Sequence, residues 1–191
     1  MIKLAVFASG NGSNAQCIIQ YFKNHPGIEV ACVFTNNPNA FVIERSNALG
    51  VQSFIFNKKD LYESPLVIEK LQELNISYII LAGFLWLIPE NIINAFPKSI
   101  INIHPALLPK FGGKGMYGMH VHDSVIMSGE TESGITIHLV NKLYDQGDVV
   151  FQAKCPIETN ETPESLAQKI HVLEHENFPL VIEQIINLNG F

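Results

Sequence analysis

The residues best suited to chemistry lie at the end of an apolar stretch, Ser99 to Pro109, with the sequence SIINIHPALLP. Asn102 and His104 are two positions apart, so in a β-strand their side chains leave the same face. Pro105 has no amide hydrogen and ends the strand at His104. Because ligands of open α/β sheets bind beyond the carboxyl ends of the strands, this amide and imidazole could bind a substrate. A structural histidine beside a turn asparagine is the alternative, and the motif alone does not exclude it.

A glycine-rich turn is the second candidate site. The sequence SGNGSN, residues 9–14, follows a predicted buried strand at Leu4 to Ala8 and precedes a predicted helix at Ala15 to Asn24. Such a turn presents backbone N–H groups and the positive end of a helix to an anion. The spacing matches neither a Walker loop nor the complete dinucleotide fingerprint, so it favours a monophosphate. An ordinary strand–helix turn is the alternative, and in either case Ser13 or Asn14 is expected to cap the helix.

Two further loops adjoin predicted strand ends. The apolar sequence AGFLWLIP, residues 82–89, follows a predicted strand at Tyr78 to Leu81. It predicts a core segment, a pocket wall for a flat heterocycle, or both. The glycine-rich segment Lys110 to Gly118 follows the strand that carries Asn102 and His104. Its position predicts a lid over a site, with an ordinary surface loop as the alternative.

Several polar residues outside these loops have ordinary structural explanations. His120 and His122 are two positions apart and cannot share one helix face, which disfavours a metal site. Asp145 and Asp148 lie in a predicted turn, where aspartate is common for backbone reasons. Glu174 is a polar residue on the last predicted helix. None of these positions is assigned a function from its pattern alone.

Strands and helices alternate along the chain, which predicts an α/β fold with an open, mostly parallel sheet and helices on both faces. The remaining predicted strands are Val30–Thr35, Ser53–Phe56, Gly134–Val140 and Val149–Ala153. The remaining predicted helices are Phe41–Leu49, Pro65–Leu74, Pro89–Ala95, Met119–Ser128 and one from Thr162, broken at Pro179. The last helix is expected to bury Leu166, Ile170, Leu173, Val181, Ile182, Ile185 and Ile186.

Length and composition predict a single compact domain, residues 1–191, with 47% hydrophobic and 16% charged residues. The net charge of −6 disfavours nucleic acid and anionic membranes, which attract clustered Lys and Arg, and it favours small-molecule partners. Cys17, Cys32 and Cys155 are scattered in apolar surroundings and predict free thiols of a reducing compartment. The longest apolar run is too short to span a bilayer, so we expect a cytoplasmic protein.

Four segments together resemble one enzyme family: GNGSN after the first predicted strand, LAGF after the fourth, NIHPALLP, and YDQGD before the last. This combination resembles the phosphoribosylglycinamide formyltransferase family over essentially the whole chain. The resemblance implies a Rossmann-like formyltransferase fold. It also implies transfer of the formyl group of 10-formyltetrahydrofolate to the amino group of glycinamide ribonucleotide in purine biosynthesis, without a metal and as a monomer or homodimer.

The resemblance also implies roles for individual residues. Asn102, His104 and Asp145 correspond to the catalytic set. The substrate-binding residues would be Gly12, Ser13 and Asn14 at the phosphate, His120 at the nucleotide and Glu174 at the glycinamide end. The residues bordering the folate would be Leu85, Trp86, Leu87, Ile88, Asn102, Val140, Asn141, Tyr144 and Asp145.

The chemistry of these groups suits that reaction. Formyl transfer passes through an oxyanion, which the Asn102 amide and a protonated His104 could stabilise. A carboxylate beside an imidazole favours the charged ring, so Asp145 is expected to raise the pKa of His104 and orient it. A formyltetrahydrofolate hydrolase and a non-catalytic nucleotide-phosphate sensor on the same fold are the alternatives.

Overall fold

A computed structural model describes residues 1–188. Residues 189–191, the end of the predicted domain, lie outside the described residues. The chain folds as two compact units, Met1–Ile101 and a second unit that begins at Asn102. The boundary falls within one strand, β5 (Ile100–His104). The single domain remains a prediction.

The first unit is built on four parallel strands in the order β3-β2-β1-β4. The central strand β1 is fully buried from Leu4 to Phe7, as expected for a strand covered on both faces of a parallel sheet. The strands are β1 (Ile2–Phe7), β2 (Ile28–Thr35), β3 (Ser53–Ile55) and β4 (Tyr78–Leu81). The helices are α1 (Ser13–Phe22), α2 (Val42–Ala48), α3 (Lys58–Tyr62), α4 (Leu66–Glu73) and α5 (Glu90–Ala95).

Helix α3 was not among the predicted elements. The sequence signal that could have revealed α3 is the pair Asn57 and Asp60, which forms a reciprocal capping box at its first turn. The Asn57 side chain accepts hydrogen bonds from the N–H groups of Lys59 and Asp60, and the Asp60 carboxylate accepts one from the Asn57 N–H. These contacts satisfy backbone groups that a helix of five residues otherwise leaves exposed.

The second unit contains an antiparallel strand pair and two helices. Strands β6 (Glu132–Leu139) and β7 (Val149–Pro156) pair from Glu132 opposite Pro156 to His138 opposite Val149. The helices are α6 (Met119–Met127) and α7 (Pro163–Leu188). The strand order of the seven-stranded sheet is β3-β2-β1-β4-β5-β6-β7. The predicted α/β class with an open, mostly parallel sheet is confirmed.

The predicted break in the last helix is wrong, because α7 continues through Pro179. An internal proline costs a helix about 3 kcal/mol. The helix buries Phe178, Val181 and Ile182 around that position, and each such side chain contributes about 1.5–3 kcal/mol, enough to offset the proline. Leu173, expected in the buried stripe, is only half-buried, and Glu174 takes the buried position beside it.

Within residues 1–188 no helix combines the length and the apolar character needed to cross a membrane.

Candidate active site

Asn102 and His104 lie on strand β5, as predicted, and within the second unit. Ile101 and Ile103, which alternate with them along the strand, are buried, and His104 is itself only 3% exposed. His104 Nε2 lies 2.8 Å from the carbonyl oxygen of Phe111. A carbonyl oxygen can only accept, so Nε2 carries the hydrogen and donates it. In the neutral ring, Nδ1 is therefore the nitrogen without a hydrogen.

Asp145 lies beside this second nitrogen. Its Oδ2 is 3.6 Å from His104 Nδ1 and accepts a hydrogen bond of 2.9 Å from the Gly113 N–H. The backbone of Asp145 is in the left-handed region, with φ of 54°, in a turn shaped by Asn141. The Asn141 side chain accepts from the Leu143 N–H and donates to the Gln146 carbonyl, both at 2.8 Å. The structure thus brings together the imidazole and the carboxylate that the family resemblance placed in one set.

Asp145 acts to raise the pKa of His104, as expected, but the net shift is downward. Burial lowers the pKa of His104 below its usual value of 6.5. The Asp145 carboxylate and the hydrogen bond to Phe111 act upward, as expected, but burial is the larger influence. Burial by itself would raise the pKa of Asp145, yet contacts with His138, His104 and the Gly113 N–H outweigh it and hold that pKa below the usual value. At neutral pH the pair is therefore a neutral imidazole beside a carboxylate.

A fourth polar residue, His138, was not among the predicted site residues. It is buried on β6, and its Nδ1–H donates to the Leu139 carbonyl at 3.1 Å. Its Nε2 therefore accepts from the Asn102 amide nitrogen at 3.0 Å, which orients that amide. The same Nε2 lies 3.8 Å from Asp145 Oδ1, so His138 lies beside both Asn102 and Asp145.

A sequence signal for His138 exists. Thr136 and His138 are polar residues two apart in an apolar strand, the same pattern as Asn102 and His104. Thr136 is also fully buried: its hydroxyl donates to the Ala106 carbonyl at 2.7 Å and accepts from the Leu108 N–H at 2.9 Å. The polar face of β6 therefore organises the chain just beyond β5.

The glycine-rich segment after β5 contacts both catalytic candidates through its backbone. Phe111 O receives the His104 hydrogen, and Gly113 N–H donates to Asp145. Phe111 and Gly113 have positive φ angles of 56° and 98°. A cavity of about 410 Å³ borders Asp145 and is lined also by Gly113 and Tyr144. The segment thus contacts both candidates, and its role as a lid stays a prediction.

The other predicted substrate residues of this unit lie on its two helices. His120, at the start of α6, is exposed and packs edge-on against Tyr117 with ring centroids 5.8 Å apart. Glu174 on α7 is 5% exposed, and His171 Nδ1 lies 3.0 Å from its Oε2. That hydrogen bond raises the pKa of His171. His122 is buried, unlike His120, and burial lowers its pKa.

Across residues 1–188 no cluster of three or more His, Cys, Asp or Glu side chains could hold a metal ion.

The glycine-rich turn of the first unit joins β1 to α1. Helix α1 begins at Ser13 with Gly12 as its N-cap, so the expectation that Ser13 or Asn14 caps it is wrong. Gly12 has a φ of 77°, a conformation that glycine adopts readily and that places its carbonyl to accept from the Gln16 N–H at 2.9 Å. In the described part of the chain no side chain caps this helix start.

The apolar loop after β4 lies against this turn, because β1 and β4 are parallel neighbours. Ser9 N–H donates to the Gly83 carbonyl at 3.0 Å, and Leu85 N–H donates to the Ser9 hydroxyl at 3.1 Å. Leu85 is exposed, whereas Ile88 belongs to the core. Trp86 packs against Phe56, Phe84 and Tyr62, each with ring centroids 6.3 Å away. The predicted wall is therefore part core and part accessible surface.

Comparison with known proteins identifies relatives of this chain. The profile of the formyl transferase family matches residues 2–182. The chain is 38% identical to the phosphoribosylglycinamide formyltransferase of Bacillus subtilis, with alignment over 100% of this chain and 97% of that protein. It is 38% identical to the chloroplastic enzyme of that name from Arabidopsis thaliana, covering 96% of this chain but 65% of the plant protein. The chain thus spans about two thirds of that plant relative.

Solved structures give the same result. Glycinamide ribonucleotide transformylase 1 from Geobacillus kaustophilus superposes with a TM-score of 0.88 at 37% identity, covering 97% of this chain and 98% of that one. Phosphoribosylglycinamide formyltransferase from Streptococcus pneumoniae superposes with a TM-score of 0.86 at 34% identity, covering 97% and 99%. With its strand order, its β5 motif and a profile match over nearly the whole length, this chain belongs to the formyl transferase family.

Proposed function

We propose that this chain transfers the formyl group of 10-formyltetrahydrofolate to the amino group of glycinamide ribonucleotide, as a phosphoribosylglycinamide formyltransferase of purine biosynthesis. The observation that carries the proposal is the His104–Asp145 pair at 3.6 Å, with Asn102 on the same strand. Relatives of nearly the same length that bear this enzyme's name support it. Both substrates are small molecules, and a monomer or homodimer remains the prediction for the assembly.

In the proposed reaction the amine nitrogen attacks the formyl carbon, and the bond between that carbon and the folate nitrogen then breaks. One proton leaves the amine and one reaches the folate nitrogen. Asn102 has two amide hydrogens, and His138 takes one of them. We assign the other to the oxyanion that forms on the formyl oxygen. His138 acts by holding this amide in one orientation.

His104 is proposed to enter the reaction neutral, since burial lowers its pKa. Its Nδ1 carries no hydrogen in that form and is the base that takes the proton from the attacking amine. The resulting imidazolium is stabilised by the Asp145 carboxylate and by the Phe111 carbonyl, which act toward the charged ring. His104 then donates this proton to the folate nitrogen as the bond between that nitrogen and the formyl carbon breaks.

Binding roles are proposed for the remaining predicted residues. Gly12, Ser13 and Asn14 would hold the acceptor phosphate through backbone N–H groups at the start of α1, where no side chain in residues 1–188 provides a cap. The buried Glu174 carboxylate would meet the glycinamide end, with His120 near the nucleotide. The aromatic surface around Trp86 and the exposed Leu85 suit the flat rings of a folate.

Formation of folate product with and without the ribonucleotide acceptor tests this function. A transferase should release tetrahydrofolate only with the acceptor present, in a one-to-one ratio with the formylated amine. Equal rates in both mixtures, with free formate as the product, would identify a hydrolase instead. No turnover in either mixture would leave the phosphate sensor.

A cytoplasmic location is part of the same proposal. Cys17, Cys32 and Cys155 are all free thiols in the structure. Burial raises the pKa of each, that of Cys32 to about 11. Unreactive free thiols support a reducing compartment.

A further inference from the structure

Arg45 on α2 contacts the glycine-rich turn although it lies more than thirty positions away in the chain. Its Nε donates to both the carbonyl and the side-chain oxygen of Asn11 at 3.0 Å. Its Nη2 donates to the Asn11 side-chain oxygen at 2.8 Å, and its Nη1 donates to the Gln16 side chain. Gln16 is on the first turn of α1, so a single guanidinium joins the turn before Gly12 to the helix after it.

The neighbouring residues of α2 hold the guanidinium and the turn in place. The Arg45 Cζ lies 4.8 Å from the centre of the Phe41 ring, a cation–π contact that limits its rotation. Val42 closes the other side of the turn, because a Cβ built on Gly12 would come within 2.8 Å of the Val42 backbone. Helix α2 therefore shapes the turn by packing at Gly12 and by hydrogen bonds at Asn11.

Within residues 1–188 the charge of Arg45 is not neutralised by an ion pair. All its hydrogen-bond partners are neutral amide oxygens, and no carboxylate in residues 1–188 lies within 4.0 Å of its nitrogens. Hydrogen bonds from a guanidinium are stronger than neutral ones, and the fork of donors fixes geometry as well as charge. The turn thus has a rigid, cationic support.

We propose that Arg45 is a positioning residue for the acceptor phosphate. It holds Asn11 and Gln16 at fixed positions, and so it fixes the direction of the N–H groups of Gly12, Ser13 and Asn14 between them. This inference rests on the proposed function, which assigns the phosphate to that turn. A lysine has one compact ammonium and cannot bridge Asn11 and Gln16 in the same way.

The test compares Arg45→Gln and Arg45→Lys with a matched control, Lys23→Gln. Lys23 is exposed at the other end of α1, and its substitution removes the same charge from the same unit. The readouts are the KM for glycinamide ribonucleotide, the KM for formyl folate, kcat and the thermal midpoint. We expect Arg45→Gln to raise the acceptor KM by about tenfold or more, in line with the loss of charge-assisted hydrogen bonds. Arg45→Lys should restore only a small part, while kcat and the folate KM stay within about twofold of wild type.

Three results would overturn the proposal. An unchanged acceptor KM in Arg45→Gln would show that the turn needs no support from α2. A wild-type acceptor KM in Arg45→Lys would show that charge alone matters. A rise in both KM values together with a fall in kcat and in the thermal midpoint would indicate a general structural role.

A double-mutant cycle of Arg45→Lys with Asn11→Ala keeps the inference testable if Arg45→Gln folds poorly. Asn11→Ala removes the side-chain oxygen that receives two of the hydrogen bonds. If Arg45 acts through Asn11, the double variant should raise the acceptor KM by much less than the product of the single effects. Multiplicative effects would contradict the coupling. A wild-type enzyme without acceptor-dependent transfer would instead refute the proposed function, which makes the two failures distinct.

Discussion

At the scale of single residues, the protonation of His104 depends on opposing influences. Burial lowers its pKa, and Asp145 and the Phe111 carbonyl raise it again. The ring therefore begins neutral yet has two partners ready for its charged form. In the proposed mechanism such a group accepts a proton from the attacking amine and later donates it to the leaving folate nitrogen. Asp145 then matters most while His104 is charged, because its carboxylate stabilises the imidazolium.

Asp145→Asn tests that requirement. Asparagine keeps the shape but loses the negative charge that stabilises the imidazolium, so we expect kcat to fall by about 100-fold or more. Asp148→Asn is the matched control, an exposed aspartate in the same turn. Steady-state kinetics and a melting curve check both variants. Near wild-type kcat in Asp145→Asn would remove Asp145 from the mechanism, and equal losses in both variants would indicate damage to the turn.

The titration of His104 gives a second prediction at this scale. In the wild type its pKa lies below 6.5. Because the Asp145 carboxylate acts upward, Asp145→Asn should lower the pKa of His104 further. Histidine ring resonances followed by NMR from about pH 4 to about pH 8 measure the change. A rise, or no change, would contradict the influence assigned to Asp145.

At the scale of elements, the segment after β5 connects backbone groups to both members of the proposed catalytic pair. Phe111 engages His104, and Gly113 engages Asp145. Gly112 lies between them and has no room for a side chain: an added Cβ would lie 2.5 Å from Leu108 Cδ2 and 3.2 Å from Asp145 Cβ. The position of Asp145 thus depends on the absence of a side chain at residue 112.

Gly112→Ala should therefore displace Asp145 together with the Leu108 side chain. We expect kcat to fall by about 10- to 100-fold, since small misplacements of a reacting group have effects of that size. Gly27→Ala is the control, because its added Cβ makes only an ordinary 3.9 Å contact with His25. Kinetics at saturating substrates measure the effect. Unchanged kcat would mean that the segment moves away from Asp145 in the working enzyme.

At the scale of the whole molecule, buried histidines link stability to pH. Burial lowers the pKa of both His104 and His122 below 6.5. A depressed pKa means that the unfolded chain binds more protons, so this contribution to stability is complete above pH 6.5 and is lost as pH falls through the folded-state pKa. His171 acts in the opposite sense, because its raised pKa stabilises the protein at low pH. His171 is 57% exposed, and solvent screening weakens its effect.

The thermal midpoint should therefore fall as the pH is lowered from about 7.5 to about 5.5. His122→Asn should make this fall shallower, since it removes one of the two depressed groups. His171→Gln should make it steeper, because it removes the opposing group. Calorimetry or circular dichroism across the pH series measures the slopes. A midpoint that rises on acidification, or slopes that change in the reverse order, would contradict the assignment.

The sequence by itself determined features that depend on near neighbours. Asn102 and His104 share a face because side chains alternate along a strand, and Pro105 ends that strand. The glycine-rich turn lies between β1 and α1 because an apolar run stops where the helical pattern starts. The α/β class followed from the alternation of such segments. Asn102, His104 and the glycine-rich turn could therefore be predicted as candidates. The cap of α1 could not, because Gly12 adopts a left-handed conformation.

Only the tertiary structure decided what depends on distant contacts. The direction of the pKa shift of His104 required its burial, which no local pattern measures. His138 reaches Asn102 across 36 positions, and Arg45 reaches Asn11 across 34. Helix α7 continues through Pro179 because burial of its neighbours offsets the missing hydrogen bond. In each case the deciding free energy comes from burial or from a hydrogen bond between segments far apart in the chain. Tertiary packing determines both, so a local sequence pattern does not reveal them.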